Sequence, residues 1–303
     1  HIVMIGFAAG AFVGTTVSAG LYILIALQDR NRSRDAESYF FNGWDLHRGM
    51  VGATLFSSAT SLATVLIALL QLGILFGLAL SWATVTFCAG WIFLWVFAGR
   101  IREHANRYDT IHSFIGRRYD SRLTGKVASA ATILGLMGLF STELFAADVI
   151  LLALGASPGW HTPAIVSFGA VTIAYAAMGG YRSAVRSDWA QTALVFTALA
   201  LLCYLGWICW RSAGSPPPMI WGKLNSPLLP LSVAISLFFI NVPFPFVDMQ
   251  AWQRLLTSSS VNEFRRGTVL AIVAFGISWS LLIGLAVVIA PTLLADGDYP
   301  WMA

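Results

Sequence analysis

Five hydroxyl residues, Ser57, Ser58, Thr60, Ser61 and Thr64, cluster in an apolar run that carries no charge from position 49 to position 99. Hydroxyls in such a setting have two uses. They let a neighbouring helix approach closely and share weak hydrogen bonds. Alternatively, the helix unwinds there, and its freed carbonyls, with the hydroxyls, coordinate an ion or a polar solute. The residues alone leave both readings open. A second polar group follows Pro243 and Pro245 in the stretch FVDMQAWQRLLTSSSVNEFRRGTVL (246–270), which carries Asp248, Gln250, Gln253 and Arg254. A proline removes a backbone donor and clashes with the preceding turn, so two of them one residue apart interrupt a helix rather than bend it. A third group, Ser187, Asp188 and Gln191, comes after paired glycines at 179 and 180. The glycines turn the chain, and Ser187 and Asp188 then suit the first turn of a new helix, as cap and as carboxylate at its positive end.

Glu143 and Asp148 interrupt the apolar run 127–154. A charged, unpaired carboxylate at mid-helix in lipid costs about 2.5–3.5 kcal/mol on insertion scales. No Lys or Arg lies in a neighbouring apolar run, so the neutral form of Glu143 is favoured, either as an interhelical hydrogen-bond donor or as a carrier of a coupled proton. Asp148, five residues on, stands about 140° round the helix and need not share its face.

The elements that must hold these groups are set by composition. Of 303 residues, 57% are hydrophobic and 11% charged, against about 25% charged in soluble domains, so most of the surface faces lipid. The charge-free runs are 1–28, 49–99, 149–181, 189–210, 224–247 and 267–295. A spanning helix needs about 20 residues, so the run 49–99 holds two, turning near Gly73 and Gly77. With 127–154 the expectation is an all-α, polytopic helical membrane protein of about eight spanning helices. If the N-terminus is outside, all of the 18 Lys and Arg except Arg211 and Lys223 fall on the cytoplasmic side, as the positive-inside rule demands. The net charge of +4 then reflects the membrane and needs no nucleic acid. Cys88, Cys203 and Cys209 sit in apolar runs at no metal-ligand spacing and read as small buried hydrophobes. With no Walker loop, HExxH or nucleophile elbow, the chain does not read as an enzyme.

The order of these motifs resembles the sodium:solute symporter family. The proline-broken helix leading into Asp248, Gln253-Arg254 and Arg265-Arg266-Gly267 is one part of the likeness. YDTIHSFIGRRY (108–119) is similar to a cytoplasmic segment of that family, and MGGYRSAVRSDWAQ (178–191) to its GGxxAVxxTDxxQ segment. The resemblance implies a leucine-transporter-like fold of two inverted five-helix repeats, each opening on a broken helix. It divides the chain into a leading helix (1–28), a first repeat (48–211) and the start of a second (228–295). Aligned on Ser61, the sodium-coordinating carbonyls fall at Ser57 and Thr60. Ser58, Ser61, Thr64, Glu143, Asp188, Gln191, Asp248 and Gln250 become candidates for the solute and ion pathway, with sodium the one implied cofactor.

Departures from the family pattern narrow the reading. Ala59 stands where relatives carry Asn or Asp, and Ala63, Thr64 and Thr84 stand where sugar transporters carry polar recognition groups, which argues against a sugar. Glu143 replaces a common Gln. Three core helices lie beyond Trp301 in the family plan, and His1 is no initiator Met. A portion of a longer polypeptide is therefore expected, with the remaining helices or a larger membrane complex as partners beside the lipid bilayer and a small-molecule solute. The function implied is secondary transport of a small organic solute, coupled to sodium or protons, in a bacterial inner membrane. A symporter-like sensor module of a signalling protein and a structural subunit are the alternatives.

Overall fold

The computed structural model describes residues 2–30, 36–41, 45–105, 110–153, 158–212 and 229–295. The loop cations Arg32, Arg34, Arg107 and Lys223 and the segment from Asp296 to Trp301 lie outside the described residues. The elements are helical: α1 (Ile2–Arg30), α2 (Ala36–Phe41), α3 (Arg48–Ala59), α4 (Ala68–Phe76), α5 (Ser81–His104), α6 (Ile111–Arg118), α7 (Arg122–Ala153) and α8 (Pro158–Ser212). They continue with α9 (Leu231–Asn241), α10 (Phe244–Val247), α11 (Met249–Thr257) and α12 (Val261–Ala295).

Among the described residues five stretches are long and apolar enough to cross a membrane, including Val65–His104 and His161–Ile208. These two, of 40 and 48 residues, would each exceed a hydrocarbon core of about 30 Å at 1.5 Å per residue. Both reverse at a glycine with positive φ, Gly77 (59°) and Gly180 (62°). Glycine is required at Gly180, where an added Cβ would stand 2.6 Å from the Tyr39 carbonyl oxygen. The expected turn near Gly73 and Gly77 is made by Gly77 alone. Gly73 instead admits α12, its missing Cβ leaving room for Ala286. With both reversals counted and α1 added, the described helices fall into eight membrane-length passes.

The directions of these passes follow from their contacts. Gly52 packs against Leu270 and Gly73 against Ala286, so α3 and α4 run parallel to α12. Gly99 meets Arg265, whereas Phe87 stacks on Trp279 with centroids 4.4 Å apart, so α5 runs the other way. Asn241 reaches the Ala83 carbonyl and Thr86 on α5, and Arg102 donates to the Ser258 carbonyl at 2.8 Å. The chain from α9 to α11 therefore runs along α5 and opposite to α3. The core between these helices is aromatic, with Phe56, Phe87 and Trp91 each packed against Phe275. In lipid such packing stabilises through van der Waals contact rather than removal from water.

The basic residues gather at one end. Asp29, fully buried at the end of α1, pairs with Arg186 (2.8 Å) and Arg182 (3.4 Å) of α8. At the same end Leu46, just before α3, exchanges backbone hydrogen bonds with Thr257 and Ser259, just after α11. The short α6 starts on a capping box between Thr110 and Ser113. Its His112 lies 2.8 Å from the Thr132 hydroxyl, and burial pushes that imidazole below the ordinary histidine range.

Candidate functional site

Two passes are broken, the second where the paired prolines predict it and the first where the resemblance, rather than the hydroxyls alone, implies it. The first loses helical geometry at Thr60 (φ −102°, ψ 92°) and resumes through a π-helical turn, Leu62–Ile67. The second ends α9 at Asn241, passes through Val242 and Pro243 into the single turn α10, and breaks again at Asp248 (φ −71°, ψ 113°). Asp248 then restarts the helix. Its carboxylate accepts from the backbone N–H groups of Gln250 (3.1 Å) and Ala251 (3.0 Å), two of the donors that a helix start leaves without partners.

The broken passes meet through a buried polar clasp. Arg254 of α11, only 4% exposed, pairs with Asp188 Oδ2 of α8 at 3.1 Å. Its Nε donates to Thr54 Oγ1 of α3 at 2.8 Å, and that hydroxyl donates in turn to Asp188. Arg254 Nη1 donates to the Gln250 carbonyl at 3.1 Å. The guanidinium also stands 6.0 Å from the ring centroid of Tyr181, whose hydroxyl lies 3.1 Å from Thr257 Oγ1. Every polar group of the clasp has a partner, the condition under which buried charge is tolerable.

One turn on from Thr54, Ser57 donates to Gln191 Oε1 at 2.7 Å. Tyr22 of α1 and Tyr175 of α8, ring centroids 5.5 Å apart, both reach Gln191 and lie near Asp188. On the other side of α3's edge, Thr192 donates to the Ala53 carbonyl at 3.0 Å. Asp188 and Gln191 thus hold the second half of α8 along α3 residue by residue.

The structure therefore gathers Ser57, Asp188, Gln191, Asp248 and Gln250 about one junction. Ser58 and Thr60 turn their hydroxyls onto their own helix, at the carbonyls of Leu55 (3.2 Å) and Phe56 (2.7 Å). The Ser57 carbonyl accepts from the Thr60 N–H at 3.2 Å, which uses one lone pair and leaves another. Ser61 is half-buried at the edge of the π-helical turn, and α7, which carries the half-buried Glu143, packs against that turn. The side chain of Thr64 lies outside the described residues.

Two differences from the sequence reading stand out. Ser187 and Asp188 do not cap a helix, because the chain resumes helical geometry directly after Gly180 and leaves them two turns inside. Ser187 back-bonds to the Ala184 carbonyl, and Asp188 is released to pair across helices. Arg254, grouped by sequence with the cytoplasmic loop cations, is a buried member of the site. Pro245 packs on α5, where Gly90 admits it, while Pro243 is exposed, and the two broken passes touch nearer the basic end, at Thr54 and Arg254. Asp148, away from the clasp, is paired with His161 at 2.8 Å.

The sodium:solute symporter family model matches residues 39–210, from α2 to the end of α8. The chain belongs to the sodium:solute symporter family. Comparison with curated proteins returns no match. The matched span of the symporter chain takes in the first broken pass, Asp188 and Gln191, but stops before the second broken pass and Arg254. Membership agrees with an all-helical transmembrane bundle of a transporter.

Proposed function

We propose that the protein is a sodium-coupled symporter of a small organic solute. The observation that carries the reading is the junction itself: two broken passes running in opposite directions, clasped by Thr54, Asp188 and Arg254. Backbone freed from a helix within the membrane must line protein or water, and transporters use such oxygens to replace an ion's hydration shell. On this reading the carbonyls of Ser57 and Thr60 take sodium, for which carbonyl oxygen is a suitable hard ligand. Gln191, Ser58, Ser61, Thr64 and Glu143 border the route, and Asp248 and Gln250 border it from the second break. The clasp closes the basic end of that route, and release of the ion toward that side requires Arg254 to part from Asp188.

The opposed directions of α3 and of the chain from α9 to α11 support a first repeat over 48–211 and a second beginning within 228–295, with 1–28 as a leading helix. The gathering of Arg48, Arg102, Arg182, Arg186, Arg254 and Arg266 at one end supports a cytoplasmic face there and an N-terminus outside.

The test needs no knowledge of the solute. Sodium binding to the folded protein alone raises its melting temperature by mass action. Purified protein should therefore melt higher in sodium chloride than in choline or potassium chloride, with a saturable dependence on sodium. Asp188→Asn should move the half-saturating concentration upward. Identical melting in all three salts would remove sodium from the mechanism.

A further inference from the structure

On the face of α3 turned away from the clasp lies a groove of about 270 Å³, walled by Gly49, Ala53 and Phe56 of α3, Trp189 and Ala193 of α8, and Leu270 and Ala274 of α12. Its walls are apolar because the one hydroxyl on them, that of Thr192, is turned inward onto the carbonyls of Ala53 and Asp188. Small residues open it. Gly49 has no side chain to meet Trp189, whose ring lies 3.5 Å from where a Cβ would be, and Ala53, Ala193 and Ala274 add little bulk.

The groove is not uniform along its length. Leu270 and Ala274 share a stripe of α12 with Arg266, one turn nearer the basic end, and Gly49 follows Arg48. Arg266 is 64% exposed, and its nearest acid, Glu263, stands 3.8 Å away. That carboxylate is already engaged by the Arg48 backbone N–H at 2.7 Å. Arg186, one turn before Trp189, is committed to Asp29. Arg266, whose contact with Glu263 is long, and the exposed Arg48, next in the chain to Gly49, stand at the basic end of these helices, together with the half-exposed Trp189, an amphipathic ring of the kind that settles at headgroup level.

We propose that this groove is a binding site for an anionic phospholipid, one acyl chain lying between α3, α8 and α12 and the phosphate resting on Arg266 and Arg48. Arginine suits phosphate through its paired, fixed donors, and anionic lipids are drawn to basic residues at a membrane face. The bound chain fills the outer side of the α3–α8 contact whose inner side is Thr54–Asp188 and Ser57–Gln191. It braces the same two helices that the clasp joins, so occupancy stabilises the clasped state.

Native mass spectrometry of delipidated protein in mild detergent tests this, with dioleoyl phosphatidylglycerol and dioleoyl phosphatidylcholine titrated separately. One phosphatidylglycerol should bind saturably and at least fivefold more tightly than phosphatidylcholine. Arg266→Gln should erase that preference while one lipid still binds, and Ala193→Trp, at an exposed position on the lip, should abolish the saturable site. Both substitutions lie at the surface, and unchanged melting temperatures in lipid-free detergent verify the fold. Equal binding of the two lipids by the unaltered protein overturns the proposal, as does an undiminished site in Ala193→Trp. Glycerol phosphate binding as tightly as the lipid also overturns it, because the groove would then contribute nothing.

Discussion

Arg254→Met is the substitution that tests the clasp most directly. It removes the 3.1 Å ion pair with Asp188, the 2.8 Å hydrogen bond to Thr54 and the 3.1 Å bond to the Gln250 carbonyl, while keeping much of the side-chain volume. Asp188 is then left inside the bundle without its counter-charge. Stranding one member of a buried pair costs about 3–5 kcal/mol, which at roughly 2–4 °C per kcal/mol lowers the melting temperature by about 10 °C. Asp188→Leu strands Arg254 instead and should cost a similar amount. The double substitution leaves no uncompensated charge, so it should recover most of the loss, giving a coupling energy of about 2 kcal/mol or more in the cycle. Differential scanning fluorimetry of the four purified proteins in one detergent measures all three differences. A drop under about 2 °C for Arg254→Met, or a double substitution whose loss equals the sum of the singles, would refute the claim that this pair holds the clasp between α8 and the broken passes together.

Three further outcomes follow from other parts of the structure. Gly180→Ala places a side chain at φ 62° against the Tyr39 carbonyl, and the backbone strain alone, about 1–3 kcal/mol, should cut the yield of folded protein; yield equal to the unaltered protein would show that the α8 reversal tolerates a Cβ. His112 packs in its neutral form, so its contribution to holding α6 on α7 is complete above its ordinary value of 6.5 and is lost as pH falls through its lowered folded value; the acid-side loss of melting temperature should be smaller in His112→Asn. A cysteine at Tyr119, 72% exposed and near the basic end, should react with an impermeant thiol reagent in inside-out vesicles and not in intact cells, and the reverse pattern would invert the proposed topology.

The scaffold was legible because its signals are local. A bilayer forces every backbone polar group to be satisfied within a segment, so charge-free length fixed the passes, and the retention of cations on one side fixed how they alternate. The second break was legible for the same reason, because Pro243 and Pro245 are deviations from an uninterrupted span that show in one dimension, whereas the hydroxyls after Phe56 left close packing equally open and only the resemblance pointed to a break there. Gly180 was readable as a turn, but how many residues the turn would consume was not. The sequence reading placed Ser187 and Asp188 in the first turn of the new helix, whereas the structure spends a single positive-φ glycine and carries both into the helix interior.

Arg254 shows why the site itself was harder to read than its scaffold. Its sequence neighbours, Gln253 before it and the serines at 258–260 after it, look like the margin of a cytoplasmic loop, and a cation there satisfies the positive-inside rule with no partner needed. Only the partners distinguish it from Arg265, which lies in a similar setting and spends its guanidinium on the carbonyls of Trp95 and Val96. Those of Arg254 are 66 and 200 residues away in sequence, at Asp188 and Thr54, and Thr54 precedes the hydroxyl cluster that drew attention to α3. Asp29 is a parallel case: a carboxylate beside Arg30 at the end of an apolar run, yet fully buried between Arg182 and Arg186. In both places a residue that reads as a solvated loop charge is itself buried and pairs with a residue of a pass far away in the chain. Charge at the basic end therefore does two separable jobs. Exposed cations such as Arg266 are free to serve the orientation and the lipid contact proposed above, whereas buried ones such as Arg254 bind one helix to another, and neutralising the first kind should leave the melting temperature in detergent unchanged where neutralising the second lowers it.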